Sequence, residues 1–502
     1  MDHSRIKHIV IVGGGTSGWM SAALLSKALP DYIKVSLVES EDIGTIGVGE
    51  ATIPHIAKFN AMLGIDEATF MKEVQATFKM GIEFIDWGAL GQSYMHPFGS
   101  YGIPLEDLSF HHYWLRAKQE QPDLSLKAFS LNETAAHQGR FMRPNQDPTS
   151  LASRINYAYH FDASLYARFL RRYAEKRAVQ RIEGKVVEVK LDNDSGDIKA
   201  IRLESGATVE ADLYLDCTGF KGLLIEDTLH AGFEDWSHWL PMDSAVAVPS
   251  ALTAEPMPFT VSTAKEAGWT WQIPLQHRMG NGHVFSSKYM DHERATDILL
   301  AGIDGELLAE PRSFRFTVGR RKKAWYKNCV AIGLSSGFIE PLESTAIHLV
   351  QEGLTRLITL LPVDGKPSDV SVKEYNRAMA LSYERTRDFI LLHYVLSERD
   401  DSPFWRDLKN LELPEILTHR MSLMRESGVY SDYDLDPFGL DSWVAVMFGQ
   451  GMIPQSYNPV ADALDQRTLD HHISQYQHAV KEISRQMPTH QQFIDHFCKA
   501  KA

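Results

Sequence analysis

The first apolar run along the chain spans residues 6–12, a short β-branched stretch of the kind buried in a parallel sheet. Glycines follow it. Residues 19–29 then carry apolar side chains at helical spacing, and Lys34–Glu39 reads as a second strand. The three pieces predict a strand–helix–strand unit. A further sheet-like region opens near Arg181, where residues 185–191 and Ile198–Leu203 read as strands joined by the turn-rich segment 192–197. The run 207–219 continues that region, and residues 329–334 read as a late strand before a helix over 344–361. Beyond about Tyr375 the spacing of Leu, Ile and Phe predicts mostly helix. The pattern therefore predicts an α/β fold in which one Rossmann-type nucleotide module is interrupted by other segments. The expected module is 1–60, 155–232 and 310–362; a substrate-binding and helical region takes 61–154, 233–309 and 363–502.

Composition changes this picture little. At roughly 150 residues per domain, 502 residues suggest about three domains, and the interleaving replaces that estimate with one discontinuous module and its insertions. A chain of this length buries about three quarters of its unfolded surface, so its core needs no disulfide or metal staple. Three cysteines, Cys217, Cys329 and Cys498, are too scattered for a disulfide framework or a thiolate zinc site. The charge, 51 minus 65 or −14, argues against binding nucleic-acid backbone. No apolar run approaches the roughly 18 residues needed to span a bilayer, and no membrane association is expected. The N-terminus enters a glycine loop without a small-residue cleavage site, so the expected location is the cytoplasm. Among 21 histidines, the pairs His111-His112 and His471-His472 are adjacent and would not share a face on a regular element. Neither H-E-x-x-H nor a two-histidine, one-carboxylate spacing stands out, and no metal is expected.

Gly13-Gly-Gly15-Thr16-Ser17-Gly18 fits G-x-G-x-x-G between a strand and a helix. Its glycines serve a tight turn, close approach of backbone to a pyrophosphate, and helix–strand packing, while the helix start adds partial positive charge. Glu39, closing the second strand, sits where an acid binds a ribose hydroxyl. It would repel a 2′-phosphate, which leaves FAD or NAD.

Two segments tip that choice to FAD. Asp212-Leu-Tyr-Leu-Asp-Cys-Thr-Gly219 resembles the strand and turn by which flavin monooxygenases return to their nucleotide domain. Asn328-Cys-Val-Ala-Ile-Gly333 resembles their late strand. Four motifs then narrow the resemblance to the flavin-dependent halogenases related to tryptophan halogenases. These are the glycine loop with its following Trp19, the segment Gly44-Thr-Ile-Gly-Val-Gly-Glu-Ala-Thr-Ile-Pro54, the signature Trp269-Thr-Trp271-Gln-Ile273-Pro274, and Ile339-Glu-Pro-Leu-Glu343-Ser344-Thr345. The similarity covers residues 1 to about 410, with the most specific motifs ending at Thr345.

Read from residues alone, Lys79 before Gly81 fits the last turn of a helix running from Asp66. Ser344 or Thr345 fits a helix cap beside Glu343. Trp269 and Trp271 share one face of a strand that Pro274 ends, and Gly280-Asn281-Gly282 offers a hairpin turn after it. The resemblance adds roles. It makes Lys79 the essential lysine and Glu343 the carboxylate facing the substrate. Backbone N–H groups of Thr345 and Ala346 would hold the halide, although relatives often have Gly where this chain has Ala346. Trp269, Trp271, Ile273 and Pro274 would wall the flavin region, and Ala51, Gly333 and Leu334 would lie beside the cofactor. His96 and Phe98 resemble the pair that stacks on indole.

The implied reaction needs FAD in its reduced form, O2 and chloride or bromide, with a separate NAD(P)H-dependent reductase supplying FADH2. Hypohalous acid would pass to Lys79, and an electron-rich ring would attack the halogen while Glu343 accepts its proton. The tyrosine-rich acidic clamp for free tryptophan is not matched. The chain instead has Pro437-Phe-Gly-Leu-Asp-Ser-Trp443 and Phe448-Gly-Gln-Gly-Met-Ile-Pro454, where Trp443 and Phe448 are candidates to stack a ring. An indole-type substrate is expected over free tryptophan. The alternatives are a flavin-dependent aromatic hydroxylase and a non-catalytic flavin-binding protein. The oligomeric state is open, a homodimer included.

Overall fold

The computed structural model describes residues 6–43, 49–362 and 367–500. Residues 44–48 of the flavin-side segment lie outside them. The chain forms two compact units, each assembled from three stretches: Met1–Gln75, Phe161–Asp243 and Arg315–Arg385 in the first, and Ala76–His160, Ser244–Phe314 and Thr386–Ala502 in the second.

The first unit is built on a six-stranded sheet. His8–Val12 sits inside it, parallel to Lys34–Glu39 on one side and Leu213–Asp216 on the other. Gln180–Glu183 extends one edge, while Cys329–Ala331 and the antiparallel Trp325–Tyr326 extend the other. The central strand is buried from Ile9 to Val12, and a strand covered on both faces tolerates no polar alternation, which is why this segment reads as an unbroken apolar run. Val10, Val38, Tyr214 and Ala331 form a core with Ile198, Ile201 and Leu203 from a smaller three-stranded sheet. Helix Thr16–Ala28 packs against Ala163–Glu175 and Ala346–Leu360. The Asp162 carboxylate caps the second of these by accepting from the Ser164 and Leu165 N–H groups.

A seven-stranded sheet organises the second unit. Its order is Arg312–Arg315, Ser244–Ser250, Met279–Phe285, Gly268–Pro274, Thr260–Lys265, Gly81–Ile85 and Ser93–Pro97. Helices Glu415–Ser427, Leu440–Gly449, Gln466–Gln486 and His490–Phe497 make the later part helical, in line with its spacing.

Several local expectations are corrected. Helix Glu67–Glu73 is capped by Asp66 but stops well before Lys79, because Gln75 turns into the left-handed region. Lys79 belongs to the strand Thr77–Lys79, paired antiparallel with Ala158–Asp162. Gly81 is no helix terminator. A Cβ there would stand 2.5 Å from the His96 carbonyl of the adjoining strand, so close strand approach demands the glycine.

Gly280-Asn281-Gly282 makes no turn either, but lies inside Met279–Phe285. The reversal comes earlier, where the Leu275 N–H donates to the Arg278 carbonyl. Gly282 is opposite Trp271, and a Cβ there would reach within 2.0 Å of the indole; the glycine makes room for the ring. The late strand ends at Ala331 and gives way to a 3-10 turn, Gly333–Ser335.

Candidate active site

The glycine loop is shaped by backbone crowding on one side and open space on the other. Gly13 has φ +114°, and a Cβ on it would meet the Cys217 carbonyl at 2.2 Å. A Cβ on Gly18 would meet the Gly13 carbonyl at 1.9 Å. A Cβ on Gly15 would meet nothing within 4 Å. Gly15 is also the N-cap of helix Thr16–Ala28, and no side chain caps that helix. Its first N–H groups therefore face open space, a fit for the pyrophosphate of a dinucleotide. Gly333, at φ +74°, packs on Ser17, where a Cβ would fall 2.7 Å from the serine Cβ. This puts the late-strand turn containing Gly333 and Leu334 against the loop. Ala51 is buried on the short strand Gly49–Ala51. Beside it, burial and then the charge of Asp162 push the Glu50 carboxyl up to about 7.

Glu39 lies against the same loop. A Cβ on Gly14 would fall 1.5 Å from its Oε2, so the middle glycine makes space for this carboxylate. The Trp19 indole N–H donates to Oε2 at 3.3 Å, which connects the tryptophan of the loop motif to the acid. Arg181 Nε donates to Oε1 at 2.5 Å, and Arg171 stands 3.5 Å away. Two guanidinium groups thus counter the acid. Discrimination against a 2′-phosphate does not follow from Glu39 alone, as the sequence had suggested.

In the second unit, Lys79 is fully buried on its three-residue strand. Burying an ammonium costs several kcal/mol, about, unless its surroundings compensate. The Phe98 ring supplies part of that, with Nζ 5.0 Å from the ring centroid. His96 is edge-on to Phe98 at 6.0 Å and lies 5.5 Å from Phe389 and 5.9 Å from Phe438. Phe389 reaches Trp443 at 5.2 Å. His96, Phe98, Phe389, Phe438 and Trp443 thereby form one aromatic group beside Lys79. Phe389 was not singled out by the sequence, because it sits inside an ordinary apolar helix pattern. Trp443 is fully buried, with the Arg420 guanidinium 4.1 Å from its ring centroid. Phe448 stacks on Trp114 at 5.6 Å.

Strand Gly268–Pro274 buries Trp269, Trp271, Ile273 and Pro274. The two indoles lie 5.9 Å apart, as residues on one strand face should. Pro274 also has a polar task. Its carbonyl accepts from the Thr77 hydroxyl at 2.6 Å, tying the tryptophan strand to the Lys79 strand.

Glu343 ends a short 3-10 turn, Pro341–Glu343, in the first unit and is fully buried. Ser344 follows at φ +60°, and Thr345 is the N-cap of helix Ala346–Leu360. The Thr345 hydroxyl does not cap that helix. Thr345 has helical backbone angles (φ −92°, ψ −9°), from which its side chain does not reach the next N–H groups as an extended N-cap residue would. The N-cap residue thus supplies no side-chain acceptor to the first N–H groups, which suits an anion at the helix start. His348, a turn into the helix, is pushed down to about 3 by burial and then by His55, so it is neutral and adds no positive charge there.

Among the described residues, no group of three or more His, Cys, Asp or Glu side chains is placed to hold a metal ion. His111 and His112 do lie together, contrary to the sequence reading, with ring centroids 4.1 Å apart. Each is used in packing: His111 bonds the Gly428 carbonyl, and His112 Nδ1 accepts from the Asn458 N–H. No described helix is long and apolar enough to cross a membrane.

The tryptophan halogenase family model matches residues 8–466. The tryptophan 6-halogenase ThaL of Streptomyces albogriseolus is 36% identical over 495 residues, covering 91% of each chain. A flavin-dependent halogenase from Xanthomonas campestris superposes with a TM-score of 0.95 at 45% identity, covering 99% of each chain. Another from Brevundimonas sp. BAL3 gives 0.94 at 42% identity, covering 98% of this chain and 99% of that one.

Proposed function

The chain belongs to the tryptophan halogenase family of flavin-dependent halogenases, and from that premise we propose that it transfers chlorine or bromine to an electron-rich carbon of an indole-type ring. Enzymes of this family work with a separate flavin reductase. Reduced FAD, when bound, supplies with oxygen the two-electron oxidation of halide to hypohalous acid. The open, uncapped helix start at Gly15 is the place for its pyrophosphate, with Glu39 toward the ribose. The backbone N–H groups of Thr345 and Ala346 take the halide.

Lys79 receives the oxidised halogen, held by hydrogen bond from Nζ or as an N–halogen bond formed with loss of water. The ring carbon attacks that halogen, the bond to nitrogen or oxygen breaks with its electron pair, and Glu343 takes the proton that leaves the ring. Trp269 and Trp271 keep bulk substrate away from the flavin side. His96 and Phe98 stack the indole, and Trp443 joins their aromatic group through Phe389, whereas Phe448 stacks on Trp114 instead. The observation that carries this reading is a fully buried lysine over an aromatic face in a chain with an intact W-x-W-x-I-P strand.

The test combines the protein with FAD, a flavin reductase, NADH, oxygen, bromide and indole. A bromine isotope doublet in the product mass is expected. A gain of one oxygen alone would assign a hydroxylase instead. Repeating the assay with free tryptophan separates indole preference from a tryptophan halogenase activity like that named for the Streptomyces albogriseolus relative.

A further inference from the structure

The strand that carries Lys79 is only three residues long, and its N–H and side-chain partners come from far along the chain. On one side, the Thr77 hydroxyl lies 2.6 Å from the Pro274 carbonyl and 3.0 Å from His160 Nδ1. The carbonyl only accepts, so the hydroxyl proton goes to it and His160 Nδ1–H donates to Thr77. His160 Nε2 then accepts from the Thr260 hydroxyl at 2.9 Å.

On the other side stands His490, the first residue of the C-terminal helix His490–Phe497. Its Nδ1 lies 2.7 Å from the Pro256 carbonyl, and the Phe78 backbone N–H donates to its Nε2 at 3.1 Å. These two partners permit one state only. Nδ1 must carry the proton to reach a carbonyl, and Nε2 must be bare to accept from an amide. The ring is thus a neutral imidazole fixed in a single tautomer. Burial agrees, pushing it down to about 4. The ring is rigidly mounted: Thr489 and Gln492 form a reciprocal capping box, and the His490 N–H donates to the Gly139 carbonyl. The same helix packs on the Phe78 ring through Phe493, edge-on at 5.4 Å, while Phe141 stacks on that ring at 4.1 Å.

We infer that His490 is a positioning residue for Lys79, its unprotonated Nε2 fixing the peptide between Thr77 and Phe78 and so the placement of the amine that follows. This rests on the proposed role of Lys79. It makes the C-terminal helix, more than 400 residues away in sequence, part of the reaction machinery. Displacing a reacting group by about 1 Å costs roughly 100-fold in rate, so a single peptide hydrogen bond is enough to matter.

The experiment compares wild type with His490→Phe, which fills the volume without an acceptor, and His490→Gln, which returns an acceptor near the Nε2 position. Ile494→Val, which loosens a buried position of the same helix while keeping the His490 ring, measures the loss that destabilisation alone produces. Each is assayed for kcat and KM with bromide and indole, for brominated product per NADH consumed, and for melting temperature. His490→Phe is expected to lose roughly 10- to 100-fold in kcat with KM within about 3-fold, and to leave more NADH consumption unproductive. His490→Gln should return to within about 3-fold of wild type, and Ile494→Val should lose kcat only as far as its melting temperature falls.

Unchanged kcat in His490→Phe would overturn the inference. So would equal losses in His490→Phe and His490→Gln that track melting temperature alone. Failure of the underlying reading looks different: wild type gives no halogenated product, or Lys79→Ala keeps making it.

Discussion

The glycine loop and the Lys79 strand solve opposite problems. The loop, where we place the pyrophosphate, leaves backbone exposed, and what shapes it is steric: a carbonyl at Gly13, a carboxylate at Gly14, open space at Gly15. The Lys79 strand offers one side chain, and what holds it is a set of polar groups at positions 160, 260, 274 and 490. A backbone cradle declares itself locally because only glycine fits. A placed side chain leaves no local trace, because its supports can sit anywhere the fold brings near.

Substitutions should separate the two regions, beginning with the largest effect. Lys79→Ala is expected to lower halogenated product by roughly 1,000-fold or more while FAD affinity stays within about 2-fold, read by product mass spectrometry and flavin titration. Gly15→Ala should do the reverse. No atom of the protein opposes the new Cβ, and φ −73° suits alanine, so stability should hold within about 0.5 kcal/mol. The methyl would occupy the space assigned to the pyrophosphate and weaken FAD binding by roughly 10-fold or more. If Gly15→Ala binds FAD as wild type does, the cofactor does not lie where we place it.

Thr77→Val keeps the shape of the Lys79 strand but strips a hydroxyl that serves both Pro274 and His160. Two buried groups lose their partner, at a cost of about 1–3 kcal/mol, which a melting curve would register as a drop of several degrees. An unchanged melting temperature would mean that this link does not hold the strand.

The smallest effect is a pH slope. His490 is lowered from an ordinary 6.5 to about 4, so between those values the unfolded chain binds a proton that the folded one refuses. Its contribution is present above pH 6.5 and lost as pH falls toward 4, at up to about 1.4 kcal/mol per unit. His112 and His283, also lowered to about 4, act in the same sense, while Glu50 and Glu133, raised to about 7, oppose them by favouring the folded state below pH 7. The clean observable is therefore a difference. Stability of His490→Gln should fall less steeply than wild type between pH 6.5 and 4, and identical slopes would contradict a buried neutral ring.

Legibility in the sequence followed the same division. His8–Val12 and Lys34–Glu39 were readable because buried parallel strands are largely apolar runs, and the antiparallel Ile198–Leu203 because its alternation follows a turn that carries its own residues. The shared face of Trp269 and Trp271 was readable from period two. Lys79 was read on a helix, since a lysine near a glycine looks like a helix end whatever the fold does with it. Gly280 and Gly282 looked like a turn for the same reason; only the strand register reveals that Gly282 makes room for an indole. His490 gave one faint signal, the capping box that opens its helix, which marks a helix start and says nothing of Phe78.

By itself the sequence determined the central strands, the glycine loop and the family, because these rest on periodicity, on residues whose backbone behaviour is intrinsic and on contiguous motifs. Tertiary structure alone decided which element carries Lys79, which tautomer His490 must hold, and why Arg181 and Arg171 share the charge of Glu39. Those outcomes depend on hydrogen-bond partners tens to hundreds of residues apart, and no local pattern encodes a partner that only folding brings into range.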